Sequence, residues 1–146
     1  MEPHSITKGK ELEQLQKSAA RFVHSGYRRT TSSSAHVTAL GWDLLHTRRL
    51  LAQCSLFYKL HHKLVNLPLP PTVILANNHG RHDHNLKYII PQATTDVFKY
   101  SFYPRTIRIW NSLPGPVVNA TGLMTFQKAA LPVIRTVQPA VGSSIV

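Results

Sequence analysis

The apolar run between Asp43 and Pro68 constrains the fold more than any other feature of this sequence. Leu44, Leu51, Tyr58 and Val65 recur seven apart, Leu50, Phe57 and Leu64 do the same, and Cys54 falls between the two rows. Seven residues make close to two turns of an α-helix, so the rows merge into one broad stripe on a helix about 33 Å long. Asp43 is placed to cap it, and the helix runs to about Val65. Pro68, Pro70 and Pro71 then stop it. A stripe this wide needs other elements to cover it, and 146 residues are enough to build one domain around it.

The covering elements are mostly helical in pattern. Residues 10–24 form an amphipathic helix with Leu12, Leu15, Ala19, Phe22 and Val23 at three- and four-residue steps on one face. Glu11 and Glu13 lie in its first turn and Arg21 and His24 in its last, as the helix dipole favours, and Gly26 is a stop. A polar, basic connector follows over 27–34. Past the prolines, 76–85 is a polar loop, and 86–90 and 96–103 are rich enough in β-branched and aromatic residues to form short strands about Pro91. Pro104 opens a short helix that runs to Leu113, where Pro114-Gly115-Pro116 ends it. Thr121 caps a last helix over 122–131, with Leu123, Phe126 and Ala130 inward and Pro132 closing it. The expected fold is therefore mainly α: two long N-terminal helices, two short C-terminal ones and a minor β or irregular element at about 86–103. The domain spans 1–135 and a flexible tail 136–146.

Charge narrows the function. Seventeen Lys and Arg face six Asp and Glu, a net charge of +11. Ten bases and four acids precede residue 74 and seven bases and two acids follow it, so the excess is spread along the chain. Such a field favours polyanions, nucleic acid above all, although a merely solubilising balance looks the same. Apolar runs are only a few residues long, far short of the ~18–20 that cross a bilayer. No secretory signal is visible, and Cys54 is the single cysteine, which excludes an internal disulfide and points to an intracellular, reducing compartment, cytoplasmic or nuclear.

Few residues suit chemistry. Two-metal catalysis needs converging carboxylates, but Glu11 and Glu13, two apart on a helix, do not share a face, and Asp43, Asp83 and Asp96 are isolated. No phosphate-binding Gly-rich loop, nucleophile elbow or His-Glu-x-x-His pair occurs. Cys54 and His61 share a helix side but lie two turns, about 10.5 Å, apart, too far for a nucleophile–base pair; a buried thiol is the better account. His79, His82, Asp83 and His84 offer metal-ligand types, but Arg81 among them and the spacing favour a solvated or phosphate-facing loop. Asn119-Ala120-Thr121 matches a glycosylation sequon, yet without a secretory signal a helix cap is the better account. No catalytic residue, metal or cofactor is expected. The arginines carry the rest: Arg28-Arg29 and Arg48-Arg49 pair two forked guanidinium groups near helix ends, where they clamp phosphates or are simply solvated. Arg105 and Arg108 lie three apart on an edge away from Ile107 and Trp110, and Trp110 suits the core better than a base-stacking platform.

Several stretches together resemble a known family. They are Pro3-His4, the run from Leu12 to Val23, Tyr27-Arg28-Arg29-Thr30-Thr31-Ser32-Ser33, Leu40-Gly41-Trp42-Asp43 with Leu45, Arg48-Arg49, and Phe57-Tyr58-Lys59 with Leu64-Val65. The longest runs from Tyr100 through Pro104-Arg105-Thr106-Ile107-Arg108 to Trp110-Asn111-Ser112-Leu113-Pro114, and Phe126-Gln127-Lys128 follows. In this order, over about 2–131, they resemble the C-terminal region of reverse transcriptases from jockey-like non-LTR retrotransposons. The resemblance implies a helical appendage downstream of the palm and thumb of an RNA-directed DNA polymerase. The palm's Tyr-x-Asp-Asp motif is absent and no Asp-Asp pair occurs, so the chain is expected to be a fragment that is not an enzyme on its own.

The leading expectation is a non-catalytic nucleic-acid-binding accessory region. It would hold the phosphates of template RNA or target DNA through Arg21, Arg28, Arg29, Arg48, Arg49, Arg105 and Arg108, beside the upstream polymerase domain, with no membrane or small-molecule partner. The alternatives are a structural module docking on the missing thumb and a degenerate retroelement remnant with no selected function.

Overall fold

A computed structural model of the chain describes residues 3–25, 32–77 and 84–137. Among them the chain is mainly helical: α1 Pro3–Val23, α2 Ser33–Ala39, α3 Leu45–His61, α4 Asp96–Lys99, α5 Phe102–Ser112, α6 Gly115–Val118 and α7 Leu123–Thr136. The one β feature among the described residues is an isolated antiparallel bridge, Leu75 to Tyr88. The contacts divide the chain into two compact units, Met1–Arg49 and Leu50–Val146, where the sequence predicts one domain.

In the first unit α1 begins seven residues earlier than expected, at Pro3, whose fixed φ suits the first helical position. Glu11 and Glu13 therefore lie mid-helix and not in the first turn, while Arg21 does fall in the last. The helix closes through Ser25, at φ 48, whose N–H donates to Phe22 O at 3.1 Å; Gly26, the expected stop, lies outside the described residues. The face α1 buries is also not the apolar one. Gln16 and Ala20 are buried, whereas Leu12, Leu15, Phe22 and Val23 are exposed.

Helix α2 replaces part of the expected connector. Seven residues are too few for hydrophobic periodicity to register, but the signals are local: three serines at its start and Gly41 at its end. Gly41 takes φ 64, its N–H donates to Thr38 O at 2.9 Å, and the Trp42 N–H reaches back to Val37 O at 3.1 Å. This paired closure needs a left-handed residue, which glycine supplies without strain. Helix α3 then starts at Leu45, two residues after the expected cap. Its start is tied to α1: His46 N–H donates to Glu13 Oε1 at 3.0 Å, and the Asp43 carbonyl just ahead of the helix accepts from Gln16 Nε2 at 3.0 Å. A carboxylate from another helix thus meets this helix start, where its charge is favourable.

In the second unit the centre of the α3 stripe is confirmed: Leu50, Cys54, Phe57 and Tyr58 are all buried. Leu64, at the end of a row, is exposed. The helix stops at His61, before the prolines, because Lys63 turns left-handed (φ 53) while Lys63 N–H bonds Leu60 O at 3.3 Å and Leu64 N–H bonds Lys59 O at 2.8 Å. Ile107, Trp110 and Leu113 of the α5 region, Val117 and Val118 of α6, and Phe126, Ala130 and Ile134 of α7 complete the core. Phe57 meets Trp110 edge-on at 5.0 Å and Tyr88 at 5.1 Å, and Tyr58 stacks on Phe126 at 4.5 Å. The buried Tyr58 hydroxyl donates to Ala120 O at 2.6 Å.

The expected strands form differently. Residues 96–99 are a helical turn, since Thr95 Oγ1 accepts the Phe98 N–H at 3.3 Å and Asp96 sits in the first turn; this Thr-Asp start outweighs the aromatic composition. Segment 86–90 does not pair across Pro91. Ala76 N–H bonds Lys87 O and Ile89 N–H bonds Ile74 O, so its backbone partner is 74–76. Tyr88 is held besides by a side chain: its N–H donates to Asn111 Oδ1 at 2.9 Å and its carbonyl accepts from Asn111 Nδ2 at 2.8 Å. Next to it, Trp110 Nε1 donates to Leu86 O at 2.8 Å. Gly122, not Thr121, caps α7, and the helix passes through Pro132 to Thr136. Pro132 is exposed on the outer side of α7, where the carbonyl it leaves unpaired can bond water. The expected tail therefore loses Thr136 to α7, and residues 138–146 lie outside the described residues.

Replacing Asn111 by Ala should cost about 2–3 kcal/mol in urea denaturation, because it strands both polar groups of a buried backbone residue, while Arg108→Ala should stay within about 0.5 kcal/mol. Gly41→Ala should cost about 1 kcal/mol from backbone strain alone, since an added Cβ there meets nothing within 4 Å.

Candidate nucleic-acid interface

Of the seven arginines predicted to face phosphate, Arg28 and Arg29 lie outside the described residues. Arg21, Arg48 and Arg49 belong to the first unit and Arg105 and Arg108 to the second. Arg21 is exposed in the last turn of α1. Arg48 and Arg49 are exposed in the first turn of α3, and there the forked pair is intact.

The second unit separates its pair. Arg108 is exposed, but Arg105 is half-buried and its Nε donates to Gln53 Oε1 at 3.2 Å. That bond ties α5 to α3 and uses one of five guanidinium donors, so Arg105 is first a packing residue. Trp110 is fully buried, as expected, and offers no stacking platform. Lys59 and Lys63, half-buried and exposed at the end of α3, stand beside the predicted set; their four-residue spacing was the sequence signal for them.

A cluster of imidazoles lies against this core. His61 Nδ1 and the Tyr88 hydroxyl are 2.6 Å apart, and the His61 ring is 4.7 Å from that of His62. Burial raises the Tyr88 phenol and so keeps it a donor, which makes His61 Nδ1 the acceptor. Burial first, then the neighbouring His62 and His84, lower His61 from 6.5 to about 4. His84 is the described end of the predicted His-rich loop, whose residues 78–83 lie outside the described residues. It is buried, accepts the Leu86 N–H at Nδ1 (3.2 Å) and thus donates from Nε2 to Trp110 O at 3.3 Å. Both ring nitrogens are therefore engaged by the fold. Cys54 is fully buried, and burial pushes its thiol up to about 12, so it is a core side chain without nucleophilic character.

The few carboxylates also have structural partners. Glu13 holds the start of α3, and Asp96 lies in the first turn of α4. The exposed arginines are Arg21, Arg48 and Arg49 in the first unit and Arg108 in the second. No described helix is long and apolar enough to cross a membrane. Comparison with models of protein families, with characterised proteins and with solved structures gives no match.

Because His61 is depressed in the folded chain, the unfolded chain binds more protons between about pH 6.5 and 4. Its contribution to stability is full above pH 6.5, drains as pH falls, and is gone below about 4. Melting temperatures measured from pH 7.5 to 4.5 should fall through this window, and His61→Gln should flatten the profile. Cys54 should resist thiol reagents at pH 8 at a rate set by unfolding, and react at once in denaturant.

Proposed function

We propose that this chain is a non-catalytic nucleic-acid-binding region that contacts the phosphates of RNA or DNA, in the manner implied by its resemblance to the C-terminal part of a non-LTR retrotransposon reverse transcriptase. The observation that carries this is the pairing of a net charge of +11 with exposed arginines on helix surfaces. Binding of this kind neutralises phosphates and releases counterions, and it reads little base sequence. The sites are Arg21, Arg48, Arg49 and Arg108, together with the sequence-predicted Arg28 and Arg29, and Arg105 in a supporting role. The protein acts inside the cell, as part of or next to a polymerase that supplies the catalytic carboxylates. Alone it polymerises nothing.

A salt titration with single-stranded RNA and duplex DNA tests this. Binding should be measurable at ~50 mM salt and weaken steeply with added salt. Arg48→Ala with Arg49→Ala should shallow the logarithmic salt slope on single strands by about 1.4, that is ~0.7 for each lost phosphate contact. No binding at low salt, or affinity indifferent to salt, overturns the proposal.

A further inference from the structure

Helix α1 leaves its apolar side open. Leu12, Leu15, Ala19 and Phe22 follow one another at three- and four-residue steps along about 15 Å of helix. Leu15 is 65% exposed and Phe22 74%, far more than a helix that has buried its apolar face would show. Beside this strip runs a groove of about 690 Å³, lined by Leu12, Leu15 and Ala19 on one side and by Trp42 and Arg48 on the other. Gln16 also lines it and is 8% exposed; its Nε2 is held by Asp43 O, but its Oε1 has no hydrogen-bond partner. The groove thus combines an apolar wall of about two helical turns, a buried acceptor lacking a donor, the half-buried Asp43 and a cation, Arg48.

We propose that this groove docks an amphipathic helix of another protein, apolar at i, i+3 or i+4 and i+7 and acidic on its flanks. An apolar strip repeating along a helix is matched by a second helix lying in the groove. Charge selects an acidic one. Residues 1–49 carry eight Lys and Arg against four acids. Of the described carboxylates there, Glu13 is bonded to His46 N–H, Asp43 is half-buried and only Glu11 is exposed. Exposed Lys8 lies one turn before Leu12, and Arg48 is in the groove itself. A second copy of this chain would bring the same positive field and is disfavoured by it. A nucleic-acid backbone would set phosphates against leucine side chains. The groove shares Arg48 with the phosphate-binding proposal but does not rest on it.

The test pans a phage-displayed library of helical peptides, randomised on all faces, against the full chain. Enriched peptides should be net acidic with helical apolar spacing. The affinity of the best one, followed by fluorescence anisotropy, should fall at least tenfold with Leu15→Glu and several-fold with Arg48→Ala. Leu15→Met should retain it, and melting temperatures should confirm that the variants fold. RNA binding should be unchanged in Leu15→Gln, which interrupts the apolar strip without adding charge beside Arg48. No enrichment, enrichment of neutral or basic peptides, or an affinity untouched by Leu15→Glu overturns the proposal. So does a dimer in light scattering that Leu15→Glu dissociates, which assigns the groove to a second copy. Competitive displacement of the peptide by an RNA oligomer that also loses affinity in the uncharged Leu15→Gln assigns it to nucleic acid.

Discussion

Among the described residues of 64–94 there is no helix, yet Val73 and Tyr88 from this stretch are core residues of the second unit. What holds Tyr88 in place is a set of hydrogen bonds from two adjacent side chains on α5. Asn111 offers Tyr88 a donor and an acceptor, as a neighbouring strand would, and Trp110 fixes Leu86 O. An irregular segment entering a core must satisfy its backbone, and here side chains do so where a sheet is missing. The same Trp110 fills the centre of the core against Phe57, so one residue couples burial and backbone satisfaction.

This clasp gives a physical meaning to the most distinctive stretch of the sequence. In the run from Tyr100 to Pro114, Pro104, Thr106, Ile107 and Trp110 are buried, Asn111 bonds Tyr88, and Arg105 bonds Gln53 of α3. Only Arg108 is left as an exposed cation there. A long motif of this kind is therefore mainly a packing device, and the residues that present charge are the ones around it.

Much of the fold was legible because it is encoded locally. The centre of the α3 stripe, the helix around Pro104, the buried Cys54 and the buried Trp110 all follow from periodicity and residue type. The misses share a cause. Helices α2, α4 and α6 are four to seven residues long, too short for a repeating pattern, and their signals are single capping residues. The α3 end was assigned to prolines when a left-handed Lys63 comes first. In the candidate site, exposed Arg21, Arg48, Arg49 and Arg108 are where sequence placed them. Arg105 also bonds Gln53, a partner 52 residues away that no local pattern marks.

By itself the sequence determined a mainly helical chain, its central apolar stripe, its positive net charge and the absence of an Asp-Asp pair. These are sums and short-range patterns, and they do not depend on what packs against what. Tertiary structure decided which face of α1 is buried. The apolar face and the Gln16–Ala20 face are both presented by the same helix, and hydrogen bonds from Glu13 and Gln16 to the chain around the start of α3 select the second. Backbone groups at a helix start must be satisfied, and satisfying them from α1 orients that helix with its leucines outward. The same hydrogen-bonding demand, met at Tyr88 by Asn111, turned a stretch with strand-like composition into a segment clasped by side chains.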